Sequence, residues 1–202
     1  MGKKIGSFIL VVFLVGIVGG ASVMYNYLSK NVETDRLSVS EDTGKQENVE
    51  EENSENDEQY SKAPDFTVYD SESKEYKLSE FEGKPVILNF WASWCGPCKS
   101  EMPDFEEAYK EYGENIHFLM VNLTDGYQET VNSAKRFIED AGYTFPIYYD
   151  TKQNAARTYG VYSVPMTFFI DENGYIIAHG TGALDAKTLQ TGIDYIYDAG
   201  SQ

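Results

Sequence analysis

The stretch Pro85-Val86-Ile87-Leu88-Asn89-Phe90-Trp91-Ala92-Ser93-Trp94-Cys95-Gly96-Pro97-Cys98-Lys99 decides how this chain is read. Its first half is a near-continuous apolar run, the pattern of a strand buried on both faces inside a sheet. A helix is expected to begin at the cysteine motif and to end at Gly113, after about Tyr112. The first N–H groups of a helix lack intrahelical partners, and its dipole adds roughly half a positive charge there. Both favour a thiolate over a thiol, so Cys95 is expected to have a lowered pKa. Pro97 suits the first turn, where no N–H is needed. The i to i+3 spacing returns Cys98 to the side of Cys95, so a small disulfide ring can close. The chemistry that follows is dithiol exchange. Cys95 attacks a substrate disulfide, and Cys98 then attacks Cys95 to release the reduced substrate. The same steps reversed would oxidise a dithiol.

These are the only two cysteines among 202 residues. A disulfide-stapled secreted domain needs more of them at wider spacing. A zinc site needs two further ligands, and the two histidines, His117 and His179, are not at ligand spacing. Haem attachment needs histidine directly after the second cysteine, where Lys99 stands. No metal or organic cofactor is therefore expected, and the Cys95–Cys98 disulfide itself is the redox group.

Outward from the motif, Phe66–Asp70 and Glu75–Leu78 alternate and read as a short hairpin. Pro103 lies inside the helix that follows the cysteines and should kink it. Ile116–Leu123 is strand-like. Gln128–Ala141 is helical, with Val131, Ala134, Phe137, Ile138 and Ala141 on one face and Gly142 as its C-cap. Phe145–Tyr149 reads as a short strand and Asn154–Tyr159 as a short helix. Met166–Ile170 and Tyr175–Ala178 flank Asp171-Glu172-Asn173-Gly174, a hairpin signal. Asp185 to about Asp198 closes the chain as a helix. Strands alternating with helices imply an α/β fold with a central mixed sheet flanked by helices.

The N-terminal third has a different character. Lys3 and Lys4 precede an uncharged stretch, Ile5–Leu28, of which Ile5–Met24 supplies the roughly 20 apolar residues that span a bilayer. Tyr25 and Tyr27 fall where an interfacial belt belongs, and the leading lysines put the N-terminus in the cytoplasm. Residues 1–28 are thus expected to be a transmembrane signal-anchor. The alternative is a cleaved signal peptide, with Gly19-Gly20-Ala21 as a weak site. Either reading exports the rest. Residues 29–62 hold eleven acidic and four basic residues with few apolar ones, the composition of an extended, disordered linker. Residues 63–202 form the folded domain. The chain carries a formal net charge of −17 and shows no basic cluster, which argues against nucleic acid as a partner.

The segment from Phe90 to Lys99 resembles the thioredoxin active-site signature. Val164-Pro165-Met166-Thr167-Phe168-Phe169-Ile170-Asp171 resembles that family's second landmark, the cis-proline loop. Ala63-Pro64-Asp65-Phe66 and the segment from about Thr124 to Thr151, which looks like a central insertion, resemble the membrane-bound extracytoplasmic group of TlpA, ResA and CcmG. The resemblance implies a thioredoxin fold, with Cys95 as nucleophile, Cys98 as resolving thiol and Pro165 in cis beside them. It implies that Trp94 shields the site and that Val164 and Pro165 line the place where substrate backbone pairs. Cytoplasmic thioredoxins carry a buried Asp in the central strand, where this chain has Asn89. The exported group uses a Glu in the first helix instead, and Glu101 matches it.

The expected activity is thiol–disulfide oxidoreduction in the reducing direction, on disulfides of exported proteins, by dithiol exchange through Cys95 and Cys98. Electrons would come from a membrane thiol donor, and apocytochrome c is one client the group implies. Rival readings are a disulfide oxidase or isomerase, an exported thiol peroxidase, and a non-catalytic thioredoxin-fold binding module.

Overall fold

The computed structural model describes residues 37–39 and 60–198 of the chain. The expected anchor, residues 1–28, and most of the expected linker lie outside the described residues. Among the described residues no helix is long and apolar enough to cross a membrane.

The strands are β1 (Leu37–Val39), β2 (Ser61–Lys62), β3 (Thr67–Tyr69), β4 (Glu75–Lys77), β5 (Val86–Trp91), β6 (His117–Asn122), β7 (Ile147–Tyr149), β8 (Met166–Ile170) and β9 (Tyr175–Thr181). The helices are α1 (Gly96–Tyr112), α2 (Val131–Ala141), α3 (Asn154–Thr158) and α4 (Ala186–Ile196). The nine strands among the described residues join one mixed sheet in the order β1-β9-β8-β5-β6-β7-β3-β4, with β2 also on β9. β5 runs parallel to β6 and antiparallel to β8, so the strand that leads into the cysteines lies at the centre.

Side-chain parity divides the core into two layers, because successive strand residues point to opposite faces. Ile87 and Trp91 of β5, Phe118 and Met120 of β6 and Phe169 of β8 pack with α1, α2 and α4. Val86, Leu88 and Phe90, with Leu119, Val121, Phe168 and Ile170, pack on the other face against Phe66, Val68, Leu78 and Ala155. Asn89 and Thr167 share the parity of the first layer, and both are fully buried. Two polar side chains in the middle of a sheet therefore face α1.

Helix ends follow local chemistry. Thr130 and Ser133 form a reciprocal capping box at the start of α2, and Gly142 ends that helix in the left-handed region at φ 73°. Asp185 caps α4 by accepting from the Thr188 N–H. α1 continues through Pro103 to Tyr112. The central insertion contributes α2 and β7, and β7 extends the sheet in parallel beside β6. Glu106 of α1 fastens this insertion, accepting from the Thr144 N–H at 2.7 Å and the Thr144 hydroxyl at 2.8 Å.

One expectation needs correction. The stretch 29–62, read as disordered throughout, supplies two strands to the folded domain: β1 pairs with β9 from Leu37 to Val39, and β2 pairs with it at Ser61 and Lys62. The physical reason is the outer edge of β9. Its free N–H and C=O groups are a template for added strands, and Leu37 gains a buried site there. Three residues carry too little periodicity to show against an acidic background.

Candidate active site

Cys95 and Cys98 form a disulfide, with an S–S distance of 2.09 Å and Cα atoms 5.3 Å apart. Cys95 is the N-cap of α1, with φ −78° and ψ 111°, while Gly96 and Pro97 open the helix. The Cys98 N–H points at Cys95 Sγ, 3.1 Å away. No acidic residue lies in the first turn of α1, so nothing there neutralises the positive end of the helix. A Cys95 thiolate at this place meets an N–H donor and a favourable dipole, as the strand-turn-helix pattern anticipated.

The Val164–Pro165 peptide is cis. The Val164 carbonyl oxygen lies 3.6 Å from Cys95 Sγ. Pro165 is buried, and Val164 is partly exposed beside the sulfur. Trp94 is 49% exposed, directly before the nucleophile. Two further aromatics are more exposed still: Tyr127 at 95% and Tyr162 at 87%. Tyr162 stands on the loop that enters the cis-proline. Tyr127 stands on the β6–α2 loop, which Glu129 ties to Ser93. Sequence reasoning missed both, because tyrosine is common in this chain and neither belongs to a motif.

Glu101 lies three residues after Cys98, so the two share a face of α1. It is 1% exposed. Its Oε1 accepts from Asn89 Nδ2 at 2.9 Å and its Oε2 accepts from the Leu184 N–H at 2.9 Å. Burial pushes the carboxyl up to about 7, against the two hydrogen bonds, which favour the charged form; nearby Asp104 adds to the rise. Asn89 Nδ2 also donates to Thr167 Oγ1 at 3.0 Å, and Asn89 Oδ1 is buried without a partner. An amide offers donors on one side and an acceptor on the other. A half-turn of the Asn89 amide would present Oδ1 to a protonated Glu101, so the site can satisfy both protonation states.

All six residues singled out from the sequence thus lie in one region. Trp94 and Val164 are the exposed and partly exposed members beside the Cys95–Cys98 disulfide, and Cys95, Cys98, Pro165 and Glu101 are buried. Sequence reasoning missed two inner contacts: Thr167, which follows Pro165 by two residues, and Glu129, which carries no motif signal. Among the described residues no group of three or more His, Cys, Asp or Glu could hold a metal ion.

A disulfide at the N-terminus of a helix, fed by the central strand of a mixed sheet and faced by a cis-proline, defines a thioredoxin-fold thiol–disulfide oxidoreductase acting on protein dithiols and disulfides. Comparison with known proteins gives the same class. The AhpC/TSA family model matches residues 60–179, and the chain belongs to that family. The chain is 37% identical over 137 residues to the thiol-disulfide oxidoreductase ResA of Geobacillus thermodenitrificans, across 67% of this chain and 76% of that protein. It is 35% identical over 132 residues to the thioredoxin-like protein YneN of Bacillus subtilis, across 65% and 76%. Among solved structures, a putative thiol:disulfide interchange protein DsbE from Chlorobium tepidum superposes with a TM-score of 0.59 at 32% identity, covering 66% of this chain and 94% of that one.

Proposed function

We propose that the chain is a membrane-tethered, extracytoplasmic reductase of protein disulfides, with apocytochrome c among its clients and a membrane thiol carrier as its electron donor. The observation that carries the reading is the joint geometry of an N-capping Cys95 and a buried Glu101 on the helix face of Cys98. The Gly-Pro pair between the cysteines, like that of reducing thioredoxins, supports the reducing direction, and the similarity to the thiol-disulfide oxidoreductase ResA supports dithiol exchange. The apolar stretch after Lys3 and Lys4 supports export and tethering.

In this reading the Cys95 thiolate attacks one sulfur of the client disulfide. A mixed disulfide forms, and the other client sulfur leaves as a thiolate. Glu101, as a carboxylate, takes the proton of the Cys98 thiol. The Cys98 sulfur attacks Cys95, the bond to the client breaks, and the client leaves with both electrons. The protein is left with the Cys95–Cys98 bond seen here, and the membrane donor reduces it again. The cis-Pro165 has no N–H, so the client backbone can approach the exposed edge of Val164. Trp94, half-exposed directly before Cys95, is the residue that the thioredoxin resemblance assigns to shielding the disulfide.

The midpoint potential tests the direction. A reductase should lie near the thioredoxin value of about −270 mV, whereas a value near −120 mV would identify an oxidant and end this reading. Trapping with Cys98→Ala, which leaves clients held on Cys95, would then name them.

A further inference from the structure

We infer that Glu129 is a positioning residue for the nucleophile: its carboxylate grips Ser93 and thereby fixes the turn that delivers Cys95 to the start of α1. The inference rests on Cys95 being the attacking sulfur and is independent of the direction of electron flow.

Glu129 lies 34 residues beyond Cys95, at the end of the β6–α2 loop, and is 0% exposed. Its Oε2 accepts from the Ser93 N–H at 2.8 Å and from the Ser93 hydroxyl at 2.8 Å. Its Oε1 accepts from the Ser133 hydroxyl at 2.9 Å. No lysine, arginine or histidine pairs with it among the described residues. A buried carboxylate without a cation is costly unless its lone pairs are filled by hydrogen bonds. Here two of three donors come from a single residue of the active-site turn.

The loop is built to hold that carboxylate still. Asp125 Oδ1 accepts from the N–H groups of Tyr127, Gln128 and Glu129, each at 2.8 Å. The Glu129 carbonyl accepts from the Gly126 N–H at 2.9 Å. The capping box of α2 begins at the next residue, Thr130. Glu129 is therefore fixed on both sides of its own backbone.

What it grips is the turn from Ala92 to Cys95, closed by the Cys95 N–H on the Ala92 carbonyl at 3.1 Å. That turn decides whether Cys95 is the N-cap, with the Cys98 N–H aimed at its sulfur. An N–H donor and the positive helix end both favour a thiolate over a thiol. In the oxidised protein the disulfide also restrains Cys95. Reduction removes that restraint and leaves the Glu129 clamp to hold the thiolate in place.

Three variants of the full chain separate reach from charge. Glu129→Asp keeps the charge but withdraws it by one methylene. Glu129→Gln keeps the reach, since its Oε1 can accept from Ser93 while its Nε2 donates to Ser133. Glu129→Ala removes both. The readout is the pKa of reduced Cys95, taken from the pH dependence of its alkylation rate in protein whose fold is verified by circular dichroism. Asp and Ala should raise that pKa by about one unit, which is about a tenfold loss of thiolate at neutral pH. Gln should stay within about twofold of the parent. An unchanged pKa in folded Asp and Ala variants would reduce Glu129 to a structural residue. A pKa lowered in Gln and Ala but unchanged in Asp would assign it to charge, since removing a nearby negative charge favours the thiolate. Either result overturns the clamp, and Asp carries the test if Ala does not fold. None of these outcomes moves with the identity of the client, so a failure here is separable from a failure of the reductase reading.

Discussion

Glu101 shows how far one residue can be carried by physics alone. A carboxyl held at about 7 in the folded protein, against an ordinary 4.5, keeps a proton that the unfolded chain has released. Between those two values the folded state binds more protons than the unfolded state, so stability falls as pH rises through that window. Two and a half units correspond to about 3 kcal/mol at full ionisation, as an order of magnitude. Glu101→Gln has no proton to lose. Its amide can be satisfied by the Leu184 N–H and by a turned Asn89, whose Oδ1 is otherwise unpartnered. The expected outcome is that urea unfolding gives the parent a loss of about 3 kcal/mol, relative to Glu101→Gln, between pH 4.5 and pH 8. Parallel pH profiles for the two proteins would show that Glu101 is not held protonated. In activity, the same substitution should slow release of the client from Cys95 while leaving the first attack nearly intact. The polar group that destabilises the core at neutral pH is thus the one that the second step needs.

At the scale of elements, the packing of α4 on the sheet turns on Gly192. A Cβ at this position would fall on the ring of Phe169, which is fully buried in β8. Helix propensity favours alanine over glycine by about 1 kcal/mol in a helix interior. Overpacking of a closed core costs about 1–3 kcal/mol. The clash should win, so Gly192→Ala is expected to destabilise by about 1 kcal/mol or more, measured as a lower denaturation midpoint with unchanged slope. A stabilised variant would mean that Phe169 can move aside. Elements of this kind were largely legible in the sequence. β5 announced itself by a near-continuous apolar run, α2 by its periodic face and its terminal glycine, and the β8–β9 hairpin by its turn residues. The disulfide was legible because Cys95 and Cys98 are a local signal with a local mechanism, and the cis-Pro165 because its stretch resembles the thioredoxin cis-proline landmark. Glu129 was not legible. Its partner Ser93 is 36 residues away, and a single acidic residue in an acidic chain gives no hint that it points inward. Contacts between loops depend on where the sheet places them, and periodicity does not report that.

At the scale of the whole molecule, the sheet does not end where composition changes. The acidic stretch read as a boundary at residue 63 contains β1 and β2, both on β9. A chain begun at residue 63 therefore lacks both strands and leaves the outer side of β9 unpaired. It also lacks Leu37, which is buried in the complete protein. Full burial of a leucine side chain contributes about 1.5–3 kcal/mol. Closing the connection between β1 and β2 costs entropy that grows only slowly with its length. A difference of about 1–2 kcal/mol should remain, so a chain begun at residue 36 is expected to unfold at higher denaturant than one begun at residue 63. An uncovered strand edge is also a template for another chain. The shorter protein should therefore self-associate as concentration rises, measured by light scattering behind a sizing column, while the longer one stays monomeric. Equal stability and equal monomeric behaviour would show that β1 and β2 add nothing to the fold. Insulin reduction should be the same for both at low concentration, because β5, which leads into the cysteines, lies on the far side of β8 from the edge that the two strands cover.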